Sequence, residues 1–273
     1  VLEAIFLGLI QGLTEFLPIS SSAHIRIAGE FLPGAADPGA TFTAIIQIGT
    51  ELAVVLYFRR EISGILRAGL RALVRRDYDR IQLRLGYFIA IGSLPIVILG
   101  VLLQDLIREN FRSLWLVASV LIVFAIALGL SDRFGRSNRN LADLRARDGL
   151  FAGFAQSLAL IPGVSRSGAT IAMCRILGLD RVSALRYSFL LAIPAVFGSG
   201  FFELANSIRE PELSTFNALE TGVATVTAFV IGYLVIAWLM RFVTTRTFAP
   251  FVIYRIALGF ALFALLGSGV ISA

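Results

Sequence analysis

Gln11-Gly12-Leu13-Thr14-Glu15-Phe16-Leu17-Pro18-Ile19-Ser20-Ser21-Ser22-Ala23-His24 breaks an apolar run that starts at Leu2 and resumes to about Phe31. A second break, Pro162-Gly163-Val164-Ser165, divides a run that extends from Leu150 to Ile161 and then on to about Leu177. Each half is too short to cross a hydrocarbon core of roughly 30 Å. Proline ends the first helix of each pair. The serines after it suit the cap of the next, because their side chains accept orphan N–H groups of a new first turn. Paired short segments of this kind predict re-entrant hairpins that enter and leave the membrane by the same face.

Around these breaks the chain reads as membrane-spanning. Of its 273 residues, 57% are hydrophobic and 15% charged, against about 25% charged in a soluble domain. Thr41–Phe58, Leu85–Gln104, Ser113–Ser131, Val182–Ala205, Asn217–Leu239 and Phe251–Ile271 are continuous apolar runs, each near the roughly 20 residues that a spanning helix needs. The expected fold is an all-α polytopic membrane protein with six transmembrane helices plus two re-entrant helix-hairpins. The N-terminal run has no basic region ahead of it and does not read as a cleaved signal peptide. Cys174, the one cysteine, excludes an internal disulfide and a multi-cysteine metal site.

All 24 basic residues are arginines. They gather between apolar runs, so positive-inside orientation explains the net charge of +6 and nucleic acid is not implied. Arg59–Arg84 holds eight arginines against three acids, Asp132–Asp148 holds five against three, and the loop around Arg241–Arg246 is basic too. Segments near Asp37, Asp105–Arg112 and Ser207–Glu212 carry little or no net positive charge. With the basic loops in the cytoplasm, the first broken segment enters from outside and the second from inside. One hairpin plus three spans then occurs twice, in opposite orientations. This predicts an inverted-topology repeat within a single membrane domain of residues 1–273: repeat 1 at about 1–131, a cytoplasmic linker at about 132–148, and repeat 2 at about 149–273. Gly8-Leu9-Ile10-Gln11-Gly12-Leu13-Thr14-Glu15-Phe16-Leu17-Pro18 matches Gly153-Phe154-Ala155-Gln156-Ser157-Leu158-Ala159-Leu160-Ile161-Pro162 if one residue is gapped.

Polar groups inside apolar segments are costly and mark candidate sites. Gln11, Thr14 and Glu15 share one helical face by their three- and four-residue spacings. An ionised Glu15 inside the membrane needs a cation, a donor or a water-filled cavity; the plainer reading is a glutamate near the interface that reaches water. His24, the single histidine, falls one turn into the helix that begins at Ser20, Ser21 and Ser22, and an imidazole suits proton transfer near neutral pH. In Pro162-Gly163-Val164-Ser165-Arg166-Ser167-Gly168-Ala169-Thr170, Ser165 can cap a helix whose first turn carries Arg166. A helix N-terminus, a guanidinium and the hydroxyls of Ser165, Ser167 and Thr170 suit an anionic phosphate. The plainer reading is a capped helix with an arginine snorkelling to headgroups. Hairpins entering from opposite faces can bring their tips together, and carboxylate beside phosphate suggests a bridging divalent cation, Mg²⁺ or Ca²⁺, on oxygen ligands at Glu15 with Gln11 nearby.

These two stretches closely resemble the paired motifs of the undecaprenyl-diphosphate phosphatase (bacitracin-resistance protein) family. The first looks like its glutamate-rich motif and the second like its PGxSRSxxT motif. The similarity extends through Ile46-Gln47-Ile48-Gly49 and Phe189-Leu190-Leu191-Ala192-Ile193-Pro194, and so covers essentially the whole chain. The resemblance implies a multi-pass enzyme of the bacterial inner membrane that converts undecaprenyl diphosphate to undecaprenyl phosphate and inorganic phosphate. That reaction recycles the lipid carrier of peptidoglycan synthesis and confers bacitracin resistance. The resemblance also implies a divalent-metal requirement and a site facing the outer side. Gln11 stands where the family allows glutamate or glutamine, which leaves Glu15 as the only carboxylate of that motif.

On this reading Arg166 and the helix termini hold the diphosphate, with Ser20, Ser165, Ser167 and Thr170 as phosphate ligands. Glu15 positions the attacking group and His24 transfers a proton. The attacking group is water or a serine, Ser21 or Ser165, and the sequence leaves these open. The partners are a polyprenyl diphosphate and membrane lipids, not nucleic acid, and a homodimer is compatible with the chain. The rival class is a transporter or lipid flippase, since broken helices in inverted repeats typify secondary transporters. A phosphatase using a pair of histidines is excluded by the solitary His24.

Overall fold

A computed structural model describes residues 1–32, 38–103, 113–209 and 215–271. Asp37, residues 105–112 and residues 210–212, the weakly charged connections of the sequence reading, lie outside the described residues. The first half of the chain holds α1 (Leu2–Thr14), α2 (Ser21–Glu30), α3 (Ala40–Tyr57), α4 (Arg59–Leu73), α5 (Arg80–Leu102) and α6 (Leu114–Phe134). The second holds α7 (Ala146–Ser157), α8 (Arg166–Ile176), α9 (Arg181–Arg209), α10 (Ala218–Phe242) and α11 (Ala249–Gly267). Among the described residues, six of these helices (α3, α5, α6, α9, α10 and α11) are long and apolar enough to cross a membrane. They coincide with the six apolar runs.

The two breaks fold alike. Ser20 (φ 74°) precedes α2 and Ser165 (φ 70°) precedes α8, both in the left-handed region that L-residues seldom occupy. In each, the cap hydroxyl lies 3.2 Å from that of the serine two residues on, Ser22 or Ser167. The expected side-chain cap forms only at Ser165, whose Oγ accepts from the Gly168 N–H at 3.1 Å. Ser20 makes no such bond.

The basic stretch Arg59–Arg84, read as a loop, contains α4. Ile62, Ile65 and Ala68 turn inward while Leu66, Leu70 and Leu73 are exposed, so the helical period was present beneath the density of arginines.

Part of the packing survives exchange of the two halves, although α8 also packs on α6 and α9 where, among the described residues, α2 makes no contact of that extent with α11 or α3. α1 packs on α10 as α7 packs on α5; α3 packs on α10 as α9 packs on α5; and the pairs α3–α9 and α6–α11 map onto themselves. The aligned glycines Gly8 and Gly153 occupy matching crossings. A methyl group at Gly8 would lie 2.5 Å from the Ala224 carbonyl oxygen, and one at Gly153 would lie 2.1 Å from that of Gly92. Only glycine allows backbones so close.

Helix ends also sort into two groups. Arg186 on Glu61 (2.8 Å), Arg84 on the Leu144 carbonyl (2.8 Å) and the Phe248 N–H on Asp132 (3.0 Å) tie the basic loops together. Thr41 on Glu203 (2.8 Å) and the Val1 amine on Glu220 (2.7 Å) tie the opposite end.

Candidate active site

The end of α1 and the start of α2 fold around one carboxylate. Gln11 Nε2 and Ser21 Oγ each donate to Glu15 Oε2 at 2.6 Å. The other oxygen, Oε1, accepts from Arg166 Nη2 at 2.5 Å, across from the first turn of α8. Glu15 is buried, so it does not simply reach water. Four residues singled out in two distant stretches, Gln11, Glu15, Ser21 and Arg166, therefore form one hydrogen-bonded group. Charge-assisted bonds of this kind are roughly twice as strong as neutral ones.

The two tips touch directly. Ser167 Oγ donates to the Leu17 carbonyl at 3.2 Å. Arg255, fully buried in the middle of α11, donates from Nη1 to the Pro18 carbonyl (3.2 Å) and from Nη2 to those of Gly163 (2.8 Å) and Val164 (3.0 Å). One guanidinium thus satisfies carbonyls that both breaks release from helical bonding.

Other candidates are placed less directly. His24 lies three residues beyond Ser21 on α2, and so on the same face. Its Nδ1 meets the Ser20 carbonyl at 2.7 Å and its Nε2 the Tyr254 hydroxyl at 2.7 Å. A carbonyl only accepts, which assigns the proton to Nδ1 and leaves Nε2 of the neutral ring as an acceptor from Tyr254. Thr170 Oγ1 is committed to the Arg166 and Ser167 carbonyls (2.8 and 3.1 Å) and to Ser188, so its hydroxyl is not directed at Glu15.

Residues 4–261 match the family described as bacitracin resistance protein BacA. The chain belongs to the BacA family. It is 57% identical over 274 residues to an undecaprenyl-diphosphatase of Micrococcus luteus, covering 100% of this chain and 99% of that protein. It is 55% identical to one from a Nocardioides species and 56% identical to undecaprenyl-diphosphatase 2 of Agrobacterium fabrum, each over 273 residues, 100% of this chain and 98% of the relative.

Three side chains of this BacA-family site were missed in the sequence. Glu51, fully buried on α3, lies 3.8 Å from Arg166 Nη2 through its Oε2. Neither of its oxygens has a hydrogen-bond donor, and Gln11 Oε1 is likewise buried and without a partner. Arg255 clasps the tips and Tyr254 meets His24. Glu51 and Arg255 carried a legible signal, a charge in the middle of an apolar run, which is the rule that flagged Glu15. Tyr254 carried none, because a tyrosine in a membrane helix is unexceptional.

Among the described residues no group of three or more His, Cys, Asp or Glu side chains is arranged to hold a metal ion. The oxygens without donors, two on Glu51 and one on Gln11, are nevertheless the hard ligands that Mg²⁺ and Ca²⁺ take. The residues present fit a divalent cation.

Proposed function

We propose that this chain hydrolyses undecaprenyl diphosphate to undecaprenyl phosphate and inorganic phosphate, recycling the lipid carrier of peptidoglycan synthesis. Relatives more than half identical along their full length carry that activity in their names. The observation that carries the reading is the pairing of Ser21 and Arg166 on the two oxygens of Glu15, a nucleophile, its base and an anion holder within one hydrogen-bonded group.

The steps follow from that group. The terminal phosphate takes Arg166 as its counter-charge, beside the N-terminal N–H groups of α8. Ser21 gives its proton to Glu15 Oε2, where its hydroxyl already points, and attacks the terminal phosphorus. The anhydride bond breaks and the electron pair leaves on the lipid phosphate. Arg166 and the helix terminus stabilise the equatorial oxygens as charge spreads over them. Water then cleaves the Ser21 phosphoester, its proton passing to His24 Nε2 once it takes the place of the Tyr254 hydroxyl, while Glu15 returns to the departing Ser21 Oγ the proton it took. Ser165 is the weaker nucleophile candidate, since its Oγ caps α8. A divalent cation on Glu51 and Gln11, beside Glu15, would neutralise diphosphate charge.

The same reading places the six long helices across the inner membrane, with the basic loops in the cytoplasm and the two hairpins as opposed halves of an inverted repeat. The helix pairs that do exchange with one another and the paired Ser20 and Ser165 breaks support it. The family resemblance then has the site facing the outer side.

Phosphate release from undecaprenyl diphosphate in detergent, with and without chelator, tests the proposal. We expect divalent-dependent release that Arg166→Ala abolishes, and a phosphoserine that Ser21→Ala removes. One-step transfer of labelled water oxygen with inversion at phosphorus would sink the covalent route. Well-folded protein that releases no phosphate would sink the enzymatic reading in favour of lipid transport.

A further inference from the structure

The molecule holds a second lipid-facing feature at its basic end. A groove of about 800 Å³ runs between the end of α6, the linker after it and the end of α8. Its floor is apolar. Ala127, Leu130 and Phe134 recur at three- and four-residue spacings along α6, and Ile176 joins them from α8. Leu130, Phe134 and Ile176 are 53%, 73% and 64% exposed, which suits contact with hydrocarbon. The rim is basic: Arg136, Arg139, Arg145 and Arg147 line the groove, and among the described residues no acid does.

The rim is built rather than incidental. Arg175, buried, donates to the carbonyls of Gly135 (3.0 Å) and Arg136 (3.3 Å) and to Ser137 Oγ (2.9 Å). The linker then pairs with the chain after α8, Arg139 N–H to the Gly178 carbonyl (3.1 Å) and Asp180 N–H to that of Arg139 (2.9 Å). Arg139 spends its guanidinium on the Leu177 carbonyl (2.7 Å) and Asp148 (2.5 Å). The other three are left for an outside anion. Arg136 makes no side-chain hydrogen bond or ion pair among the described residues, Arg145 makes no ion pair, and exposed Arg147 approaches Asp148 only to 3.8 Å.

We propose that this groove binds an anionic phospholipid of the leaflet that the basic loops meet, its acyl chain on the α6–α8 floor and its phosphate between Arg136, Arg145 and Arg147. The floor calls for hydrocarbon and the rim for negative charge. A zwitterionic lipid would bring an ammonium group against three guanidiniums. Each arginine near an anionic headgroup strengthens binding about fivefold, so three give a large preference even when partly screened.

The test is native mass spectrometry of the full chain in mild detergent, titrated with phosphatidylglycerol or phosphatidylcholine. We expect the wild type to retain phosphatidylglycerol at about one tenth of the phosphatidylcholine concentration or less. The triple variant Arg136→Gln, Arg145→Gln, Arg147→Gln should lose that preference while still hydrolysing undecaprenyl diphosphate. Leu130→Trp, which fills the floor, should weaken phosphatidylglycerol binding with the rim intact. Arg71→Gln, Arg75→Gln, Arg76→Gln, the same charge change on and just after α4, should leave binding as in the wild type. Equal retention of the two lipids by the wild type overturns the proposal without any variant. Equal loss in both triple variants overturns it too, because general charge would then be the cause, as does unchanged binding in Leu130→Trp.

Discussion

Glu51→Gln separates function from folding more sharply than any other substitution in the site. The glutamate lies 3.8 Å from Arg166 Nη2, while Glu15 holds the same nitrogen at 2.5 Å. At an effective dielectric near 20, Arg166 attracts Glu51 by about 4 kcal/mol. The Glu15 carboxylate, no more than about 6 Å away, repels it by about 3 kcal/mol on the same scale. The small remainder falls short of the several kcal/mol that burying a carboxylate costs, and no donor reaches either oxygen. The isosteric amide removes the charge and leaves an unpaired NH₂ worth about 1–3 kcal/mol. In chelator, therefore, Glu51→Gln should unfold at the wild-type temperature or higher, stabilised by up to about 2 kcal/mol. Turnover of undecaprenyl diphosphate should fall at least about 100-fold, close to 3 kcal/mol of barrier. Added Mg²⁺ or Ca²⁺ should raise the unfolding midpoint of the wild type and not of the variant, since only a native-state ligand stabilises. Thermal unfolding in detergent and phosphate release read both quantities. A variant destabilised in chelator, or one that hydrolyses at the wild-type rate, would refute the assignment.

Three further outcomes follow from the packing and the hydrogen bonds. Arg255→Met removes the three bonds to Pro18, Gly163 and Val164 and should cost about 3–5 kcal/mol; stability and turnover should fall together, and full turnover in a stable variant would show that the tips need no clasp. Gly153→Val forces its Cβ to 2.1 Å from the Gly92 carbonyl oxygen, a clash that costs about 3 kcal/mol or more because the obstacle is backbone; an unchanged unfolding midpoint would contradict the crossing. Tyr254→Phe keeps the ring beside His24 and frees Nε2 of the hydroxyl that water must displace, so kcat should hold or rise with KM unmoved; a fall of about tenfold or more would show that the hydroxyl takes part in proton transfer, and a change confined to KM would place Tyr254 on the substrate instead.

Much of this was legible in the sequence, for identifiable reasons. Pro18 and Pro162 with the serines after them announced both breaks, because proline chemistry is local. The six apolar runs announced the long helices by length alone. Gln11, Glu15, Ser21 and Arg166 were each found as polar residues in apolar surroundings, and their meeting was expected from hairpins read as entering from opposite faces. Ser20 departs from expectation although it and Ser165 each meet the hydroxyl two residues on, so residue type alone does not decide which of the two caps. α4 was hidden because its four arginines interrupt the apolar residues, leaving no continuous run to read. Glu51 and Arg255 carry the same signal, but each lies in an unbroken span with no proline or serine break beside it to set it apart. The roles of Arg175 and Tyr254 depend on which distant carbonyl or ring lies opposite, and that is set only by tertiary packing.

The charges of the site divide by half: Glu15 and Glu51 come from residues before the linker, Arg166 and Arg255 from residues after it. Either half folding by itself would hold buried ions of one sign with nothing to neutralise them, a state too costly to persist in an apolar medium. Docking of the halves is thereby checked electrostatically. A mispaired or truncated chain would keep its charges bare, whereas a correctly joined one pairs Glu15 with Arg166. The arrangement that readies the site for a diphosphate also makes the site's completion a condition of the fold.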